Sequence, residues 1–209
     1  EIMFELSWQA PYDWPWMWGF LQARAVAGIE RFEAGRYTRS FEYHGHRGVI
    51  TMAPDESRQV LRVTLSEGLL PVADSCLARV SRLLDLNCAP QAINDTLGAL
   101  ASARPGLRLP GSMDAFEQGV RAILGQLVSV SMAAKLTGKV AIAFGEPLPD
   151  FPGFYLFPRP EQLMNADPQQ LKALGMPLRR AESLIYLASA ALSGELPITA
   201  PDDIEQGMK

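Results

Sequence analysis

The side chains most often used in catalysis or metal binding are sparse in this chain of 209 residues. His44 and His46 are its two histidines, and they flank Gly45 in a segment typical of a tight turn between strands. Histidines in such a turn do not have the spacing of two metal ligands on one helix, and they do not suggest a Ser-His-Asp triad. The sequence also has no glycine-rich phosphate loop. We therefore interpret both histidines as exposed turn residues.

The cysteines and a C-terminal acidic pair are also poor candidates. Cys76 and Cys88 lack the spacing of a metal site, and two cysteines are too few for a disulfide scaffold. We expect both to be buried free thiols, because Cys76 lies on an apolar helical face. Asp202 and Asp203 stand at the start of an amphipathic segment, where acidic side chains favour the helix dipole. We interpret them as capping residues, and we expect no metal and no organic cofactor.

One pair is better suited to contact a ligand. Phe20 and Arg24 lie four residues apart in a segment with helical periodicity, a spacing that puts an aromatic face and a guanidinium group side by side. Trp14, Trp16 and Trp18 occupy both sides of the same helix. From the residues alone, this arrangement is typical of packing.

The strands and helices predicted before residue 89, which must position these residues, together form an α+β unit. Apolar and polar residues alternate from Phe4 to Trp8, as in a short half-buried strand. A helix that Asp13 can cap is predicted from about Trp14 to Ala27. A second amphipathic helix is predicted from Leu69 to Leu84. Turn residues between the two helices separate four antiparallel strands, near 29–33, 36–43, 46–53 and 58–66.

No convincing strand follows Pro90, so the second part of the chain is predicted to be helical. Two prolines and two glycines set a loop at 104–111, and Ser112 can cap the next helix, which Gly125 interrupts. We place the boundary between a small α+β domain, 1–88, and a helical domain, 89–209. Helical periodicity marks 92–101, 116–127, 133–144 and 178–192, and a proline-rich connection, 147–160, is expected to pack over these helices.

Composition excludes several classes of protein. Apolar residues make up 48% and charged residues 20% of the chain, as in an ordinary globular protein and unlike a disordered one. No apolar run approaches the ~18 residues of a membrane span, and an acidic N-terminus is unlike a signal peptide, so we expect a cytoplasmic protein. The net charge of −4 argues mildly against a nucleic-acid binder, because the chain has no overall excess of basic residues.

Several motifs nevertheless resemble one family of DNA-repair enzymes. Residues 11–14 read PYDW, residues 104–111 read RPGLRLPG, residues 114–129 read DAFEQGVRAILGQLVS, and residues 174–182 read LGMPLRRAE. Together they are similar to the bacterial AlkA-type DNA-3-methyladenine glycosylase II family, in the helix-hairpin-helix DNA glycosylase superfamily. The resemblance runs from Leu6 to Lys209. It implies a small domain like half of the TATA-box-binding protein, followed by a helical domain.

The resemblance also implies a function and a set of site residues. Members of this family flip alkylated bases such as 3-methyladenine out of double-stranded DNA and hydrolyse the N-glycosidic bond. Leu127, beside Gln126, matches the wedge that intercalates into DNA, and Phe20 matches a position in the base pocket. From the local pattern alone, Leu127 could instead continue the apolar stripe that runs from Phe116 to Leu124.

No residue of this chain matches the catalytic aspartate of the family. That aspartate and the glycine hairpin that precedes it are expected beyond Lys209, so we expect the 209-residue chain to be inactive alone and to bind duplex DNA weakly. Self-association is also expected if apolar helix surface is left uncovered. The alternative is a noncatalytic module that binds an effector or another protein.

Overall fold

A five-stranded antiparallel sheet forms the first half of the molecule. The computed structural model describes residues 1–90 and 105–195. The strands are β1 (Ile2–Ser7), β2 (Glu30–Glu33), β3 (Arg36–Tyr43), β4 (His46–Asp55) and β5 (Val60–Leu65), in the spatial order β1-β5-β4-β3-β2. The predicted α+β class is confirmed, and the strand predictions are correct to within two residues at each end.

Two glycine turns fix the register of the central hairpins. Ala34 and Gly35 connect β2 to β3, and His44 and Gly45 connect β3 to β4; all four residues have positive φ. Two-residue loops of this kind match the twist of antiparallel strands. The histidine prediction is therefore confirmed for His44, which is exposed in the turn, whereas His46 starts β4 and is half-buried.

Two helices cover one face of this sheet. Helix α1 spans Trp14–Ala23, and the Asp13 carboxylate caps it by accepting from the backbone N–H of Trp16 at 3.0 Å. The prediction that α1 continues to Ala27 is wrong. The chain turns after Ala23, where the backbone N–H of Arg24 donates to the carbonyl of Leu21 at 3.2 Å.

The second predicted helix is divided in two. Residues Glu67–Val72 form a 3-10 helix that contains Pro71, and helix α2 spans Ala73–Leu83. Proline cannot donate a backbone hydrogen bond, so the regular helix begins only after it. Cys76 lies on the buried face of α2, as predicted, but Cys88 is only partly buried; both thiols are free.

Five helices follow in the described part of the second half. They are α3 (Ala115–Leu124), α4 (Val130–Phe144), α5 (Pro160–Met164), α6 (Pro168–Ala173) and α7 (Leu178–Ser193). Asp114, not Ser112, caps α3, because its carboxylate accepts from the backbone N–H of Glu117 at 2.8 Å. Within 105–195 the β-structure is a single bridge between Pro147 and Tyr155, which agrees with the helical prediction.

Two main hydrophobic clusters divide the molecule. One joins the sheet, α1 and α2 and extends to Met113; the other begins at Phe116 and joins α3 to α7. The segment before Met113 packs with the sheet domain, where the buried Arg108 donates to the carbonyl of Asp85, after α2, at 2.8 Å and to that of Pro11, before α1, at 3.0 Å. The boundary at residues 88 and 89 stays a prediction.

The connection between α4 and α5 packs differently from the prediction. It contacts the sheet domain as well as the helices: the backbone N–H of Tyr155 donates to the carbonyl of Gly28 at 2.6 Å, and its carbonyl accepts from the Ser40 hydroxyl at 2.6 Å. This segment therefore ties the two halves together. The helix predicted at 92–101 and the acidic pair Asp202 and Asp203 lie outside the described residues.

No helix in the described ranges, 1–90 and 105–195, combines the length and the apolar character needed to cross a membrane.

Candidate base-binding cleft and intercalating loop

A cleft of about 300 Å³ lies between the sheet domain and the helical domain. One wall comes from the end of α1 and from strands β2 and β3, and the other comes from α3 and α4. The lining residues include Phe20, Arg24, Glu30, Arg39, Glu117, Arg121, Gly125, Val128 and Ser129. A concave site at a domain interface is the usual location of a small-molecule pocket.

Phe20 is part of this cleft, and its ring is held by neighbours on its own helix. The Trp16 ring stacks on it with centroids 5.4 Å apart, one turn earlier in α1. One turn later, the Arg24 guanidinium carbon lies 3.7 Å from the Phe20 ring centroid, and Arg24 also donates to the Phe20 carbonyl at 3.2 Å. The predicted side-by-side pair is therefore present, and both residues line the cleft, while the Phe20 ring also packs against the core of the sheet domain.

Leu127 lies in a five-residue loop, Gly125–Ser129, that joins α3 to α4. Its side chain is fully exposed, at 101%, and its backbone has φ +61°. Left-handed backbone costs a non-glycine residue about 1–2 kcal/mol, and such strain is concentrated at functional sites. The interpretation that Leu127 continues the apolar stripe of α3 is wrong, because α3 ends at Leu124 and Leu127 contacts no core.

Hydrogen bonds at both ends of the loop hold Leu127 outside the core. The backbone N–H of Gly125 donates to the carbonyl of Arg121 at 2.9 Å and ends α3. The Ser129 hydroxyl accepts from the backbone N–H of Met132 at 3.1 Å and caps α4. Gly125, Val128 and Ser129 line the cleft, so the exposed side chains of Gln126 and Leu127 lie at its rim.

A buried ionic network, which was not predicted from the sequence, lines the cleft. Arg39 of β3 pairs with Glu117 of α3 at 2.6 Å, and both side chains are about 5% exposed or less. Arg121 pairs with Glu117 and with Glu30, each at 3.1 Å. The Tyr37 hydroxyl donates to Glu30 at 2.5 Å. The network thus links strands β2 and β3 to helix α3.

The electrostatics of this network keep Glu117 ionised. Burial alone would raise the pKa of Glu117, but the guanidinium groups of Arg39 and Arg121 outweigh it and lower that pKa to about 2. Burial, together with the charge of Glu30, raises the pKa of Tyr37. One signal in the sequence was available: Glu117 and Arg121 are charged residues that interrupt the face of α3 formed by Phe116, Val120 and Leu124.

These contacts limit what the cleft can do chemically. Among residues 1–90 and 105–195, the carboxylates that line the cleft are Glu30 and Glu117, and both are paired with arginine. The described residues contain no group of three His, Cys, Asp or Glu side chains able to hold a metal ion. Among the described residues, the cleft therefore offers an aromatic face and paired ions but no free carboxylate.

Comparisons with known proteins agree with this geometry. Residues 3–114 match the AlkA N-terminal domain, and residues 120–206 match the HhH-GPD superfamily of base excision DNA repair proteins. The chain is 61% identical over 207 residues to DNA-3-methyladenine glycosylase 2 of Escherichia coli, an alignment that covers 99% of this chain and 73% of that protein.

Solved structures share the fold at low sequence identity. A 3-methyladenine DNA glycosylase from Archaeoglobus fulgidus superposes with a TM-score of 0.72 and 22% identity, covering 88% of this chain and 66% of that one. A Clostridium acetobutylicum 8-oxoguanine glycosylase/lyase in complex with double-stranded DNA superposes with a TM-score of 0.58 and 17% sequence identity. That match covers 81% of this chain and 57% of the other. The chain therefore belongs to the AlkA family of DNA glycosylases, within the HhH-GPD superfamily.

Proposed function

We propose that this chain recognises and extrudes alkylated bases, such as 3-methyladenine, for hydrolysis of their N-glycosidic bond in double-stranded DNA. The observation that carries the proposal is Leu127: a fully exposed leucine on left-handed backbone at the rim of a cleft. The similarity to DNA-3-methyladenine glycosylase 2 of Escherichia coli supports 3-methyladenine as a substrate. The same proposal locates the protein in the cytoplasm, together with the DNA that it would repair.

Base extrusion needs a group that fills the space left in the duplex. Rotating a nucleotide out of the helix costs a few kcal/mol, because stacking and pairing are lost. An apolar side chain inserted between base steps offsets part of that cost. Leu127 has the required chemistry and position, and Gln126 beside it offers an amide that can hydrogen-bond to a base edge. We assign the wedge to these two residues.

Phe20 is suited to receive the extruded base. Alkylation at purine N3 or N7 leaves the base positively charged, and an aromatic face attracts a cation. The Phe20 ring lines the cleft and already holds one cation, the Arg24 guanidinium. An extruded base must therefore approach Phe20 beside Arg24 or displace it.

The hydrolytic step needs a carboxylate that the described residues do not provide. A free carboxylate near the sugar would stabilise the oxocarbenium-like transition state as the base leaves, as in glycoside hydrolysis. Glu30 and Glu117, the carboxylates that line the cleft in the described ranges, are held by Arg121 and Arg39. We propose that the 209-residue chain releases no base by itself, and the pairing of these two carboxylates supports the proposal.

The experiment compares this chain with a chimera that adds the part of the Escherichia coli relative outside the alignment. Release of 3-methyladenine is measured on alkylated duplex and on alkylated single-stranded DNA. The chimera should release the base and the 209-residue chain should not. Base release by the 209-residue chain, with contaminating glycosylases excluded, would refute its inactivity. A chimera that neither binds DNA nor releases base would favour the noncatalytic module.

The wedge assignment is tested in the same chimera by Leu127→Ala. A buried leucine contributes about 1.5–3 kcal/mol, so release from duplex should fall roughly 10- to 100-fold. Release from single strands should change little, because no stack has to be filled. Leu192→Ala is the control, because it makes the same substitution at another exposed leucine, which lies on α7 and outside the Leu127 loop. A thermal destabilisation by Leu127→Ala with an unchanged release rate would assign Leu127 to packing instead.

A further inference from the structure

Five cations of the helical domain form what we call the basic surface: Lys135, Lys139, Lys172, Arg179 and Arg180. Within 1–90 and 105–195, none of them forms an ion pair. The three lysines are all of the lysines in those ranges. Many arginines of the described chain, by contrast, are paired with carboxylates, among them Arg39, Arg47, Arg58, Arg62, Arg121 and Arg159.

The fold brings these cations together around one turn. Lys135 and Lys139 lie one turn apart on α4, and the Lys139 ammonium group donates to the carbonyl of Leu174 at 3.4 Å. Leu174 begins the short connection between α6 and α7. Lys172 lies just before this connection, whereas Arg179 and Arg180 lie in the first turn of α7.

The basic surface adjoins the Leu127 loop. Lys135 and Lys139 lie about 8 and 14 Å along α4 from its first residue, at 1.5 Å per residue, and that residue follows the loop directly. On the other side of the loop, Arg179 shares a surface groove with Ile123 at the end of α3. Glu182 lies in the same groove and is the acidic residue that partly offsets the charge of Arg179.

We propose that the basic surface binds phosphates of the DNA backbone on the flank of the extruded nucleotide. This inference rests on the proposed function and adds a surface to it. Each strand of B-DNA carries one phosphate per about 3.4 Å of helix axis, so cations spread along α4 as far as Lys139 extend over more than one phosphate. Phosphate contacts position a protein on the duplex. In a protein of net charge −4, such contacts must come from a local cluster of cations.

The test measures the salt dependence of DNA binding by the 209-residue chain. The probe is a fluorescent duplex with one tetrahydrofuran abasic site, and its anisotropy is followed over about a fourfold range of salt. Each phosphate contact contributes about 0.9 to the slope of log affinity against log salt. The triple variant Lys135→Gln, Lys139→Gln, Lys172→Gln should therefore reduce that slope by about 2.7. Arg36→Gln, at the exposed arginine that begins β3, should leave it unchanged.

Leu127→Ala separates this inference from the proposed function. It should weaken binding to the abasic duplex without changing the slope, since it removes no charge. A wild-type slope in the triple variant would overturn the basic surface and leave the wedge intact. A wild-type chain that does not bind the duplex even at the lowest salt would overturn the basic surface, whereas the proposed function is decided by the chimera. A slope reduction of about 0.9 in Arg36→Gln, the same per charge as in the triple variant, would also overturn the inference, because bulk charge would then explain the effect.

Discussion

Glu117→Gln should destabilise the protein and change its response to acid. The variant keeps the size of the side chain but removes the charge that faces Arg39 and Arg121. Arg121 retains Glu30, whereas Arg39 loses its carboxylate partner in a site where its side chain is 4% exposed. Breaking a buried ion pair by removing one partner costs about 3–5 kcal/mol. We expect a loss of that order in the free energy of unfolding at neutral pH.

The acid dependence follows from the pKa of Glu117, which falls from 4.5 to about 2 in the folded protein. A lowered carboxyl pKa adds stability above the unfolded value, and this stability is lost as pH falls from about 4.5 towards 2. The difference corresponds to about 3 kcal/mol. Burial raises the pKa of the neighbouring Asp114, so its protonation favours the folded state at low pH and offsets part of the loss.

The assay is urea unfolding of the wild type and the variant, followed by far-UV circular dichroism at neutral pH and through the acid range. The wild type should lose stability below about pH 4.5, and Glu117→Gln should lose less over the same range. Glu5→Gln is the control, because Glu5 forms an exposed pair with Arg58 and should contribute little. A variant as stable as the wild type at neutral pH, or one with a parallel acid curve, would refute the reasoning.

Three further outcomes are expected. A soluble thiol reagent should modify Cys88 in the native protein and Cys76 only on unfolding, because burial excludes Cys76 and raises its pKa to about 11; equal labelling rates would contradict this. Light scattering should show concentration-dependent association that Tyr186→Lys reduces, since Tyr186 is an exposed aromatic on α7; a monomer at high concentration would oppose it. Gly106→Ala should cost about 1–3 kcal/mol, because a Cβ there would meet the backbone of Tyr12 and Asp13, whereas Gly35→Ala, where φ is also positive but the space at Cβ is open, should cost less. Equal losses would exclude the close approach at Gly106.

Local features of the fold were predictable from the sequence. The hairpins follow from Gly35 and Gly45, because only a few residue types accept positive φ at those positions. The end of α3 was signalled by Gly125. Ser112 and Asp114 are both plausible caps, and the choice between them depends on where the chain leaves the sheet domain, which sequence periodicity does not encode.

The candidate site was only partly predictable. Local spacing predicted the Phe20–Arg24 contact, but nothing local placed that pair in a cleft. The wedge role of Leu127 was predicted only by resemblance to the family, and the exposure of its side chain is visible only in the structure. The Arg39–Glu117 pair joins residues 78 positions apart, so no pattern on either element alone identifies the partner.

The tryptophans are all located in one half of the protein, so tryptophan fluorescence follows only that half. All four, Trp8, Trp14, Trp16 and Trp18, lie on or just before α1, and the sequence from residue 19 onwards contains none. Tryptophan fluorescence therefore reports the sheet domain, whereas circular dichroism at helical wavelengths is weighted towards the other half. If the ionic network couples the two domains, both signals will change at the same denaturant concentration; if it does not, they will separate, and tryptophan emission alone would overlook the loss of the helical domain.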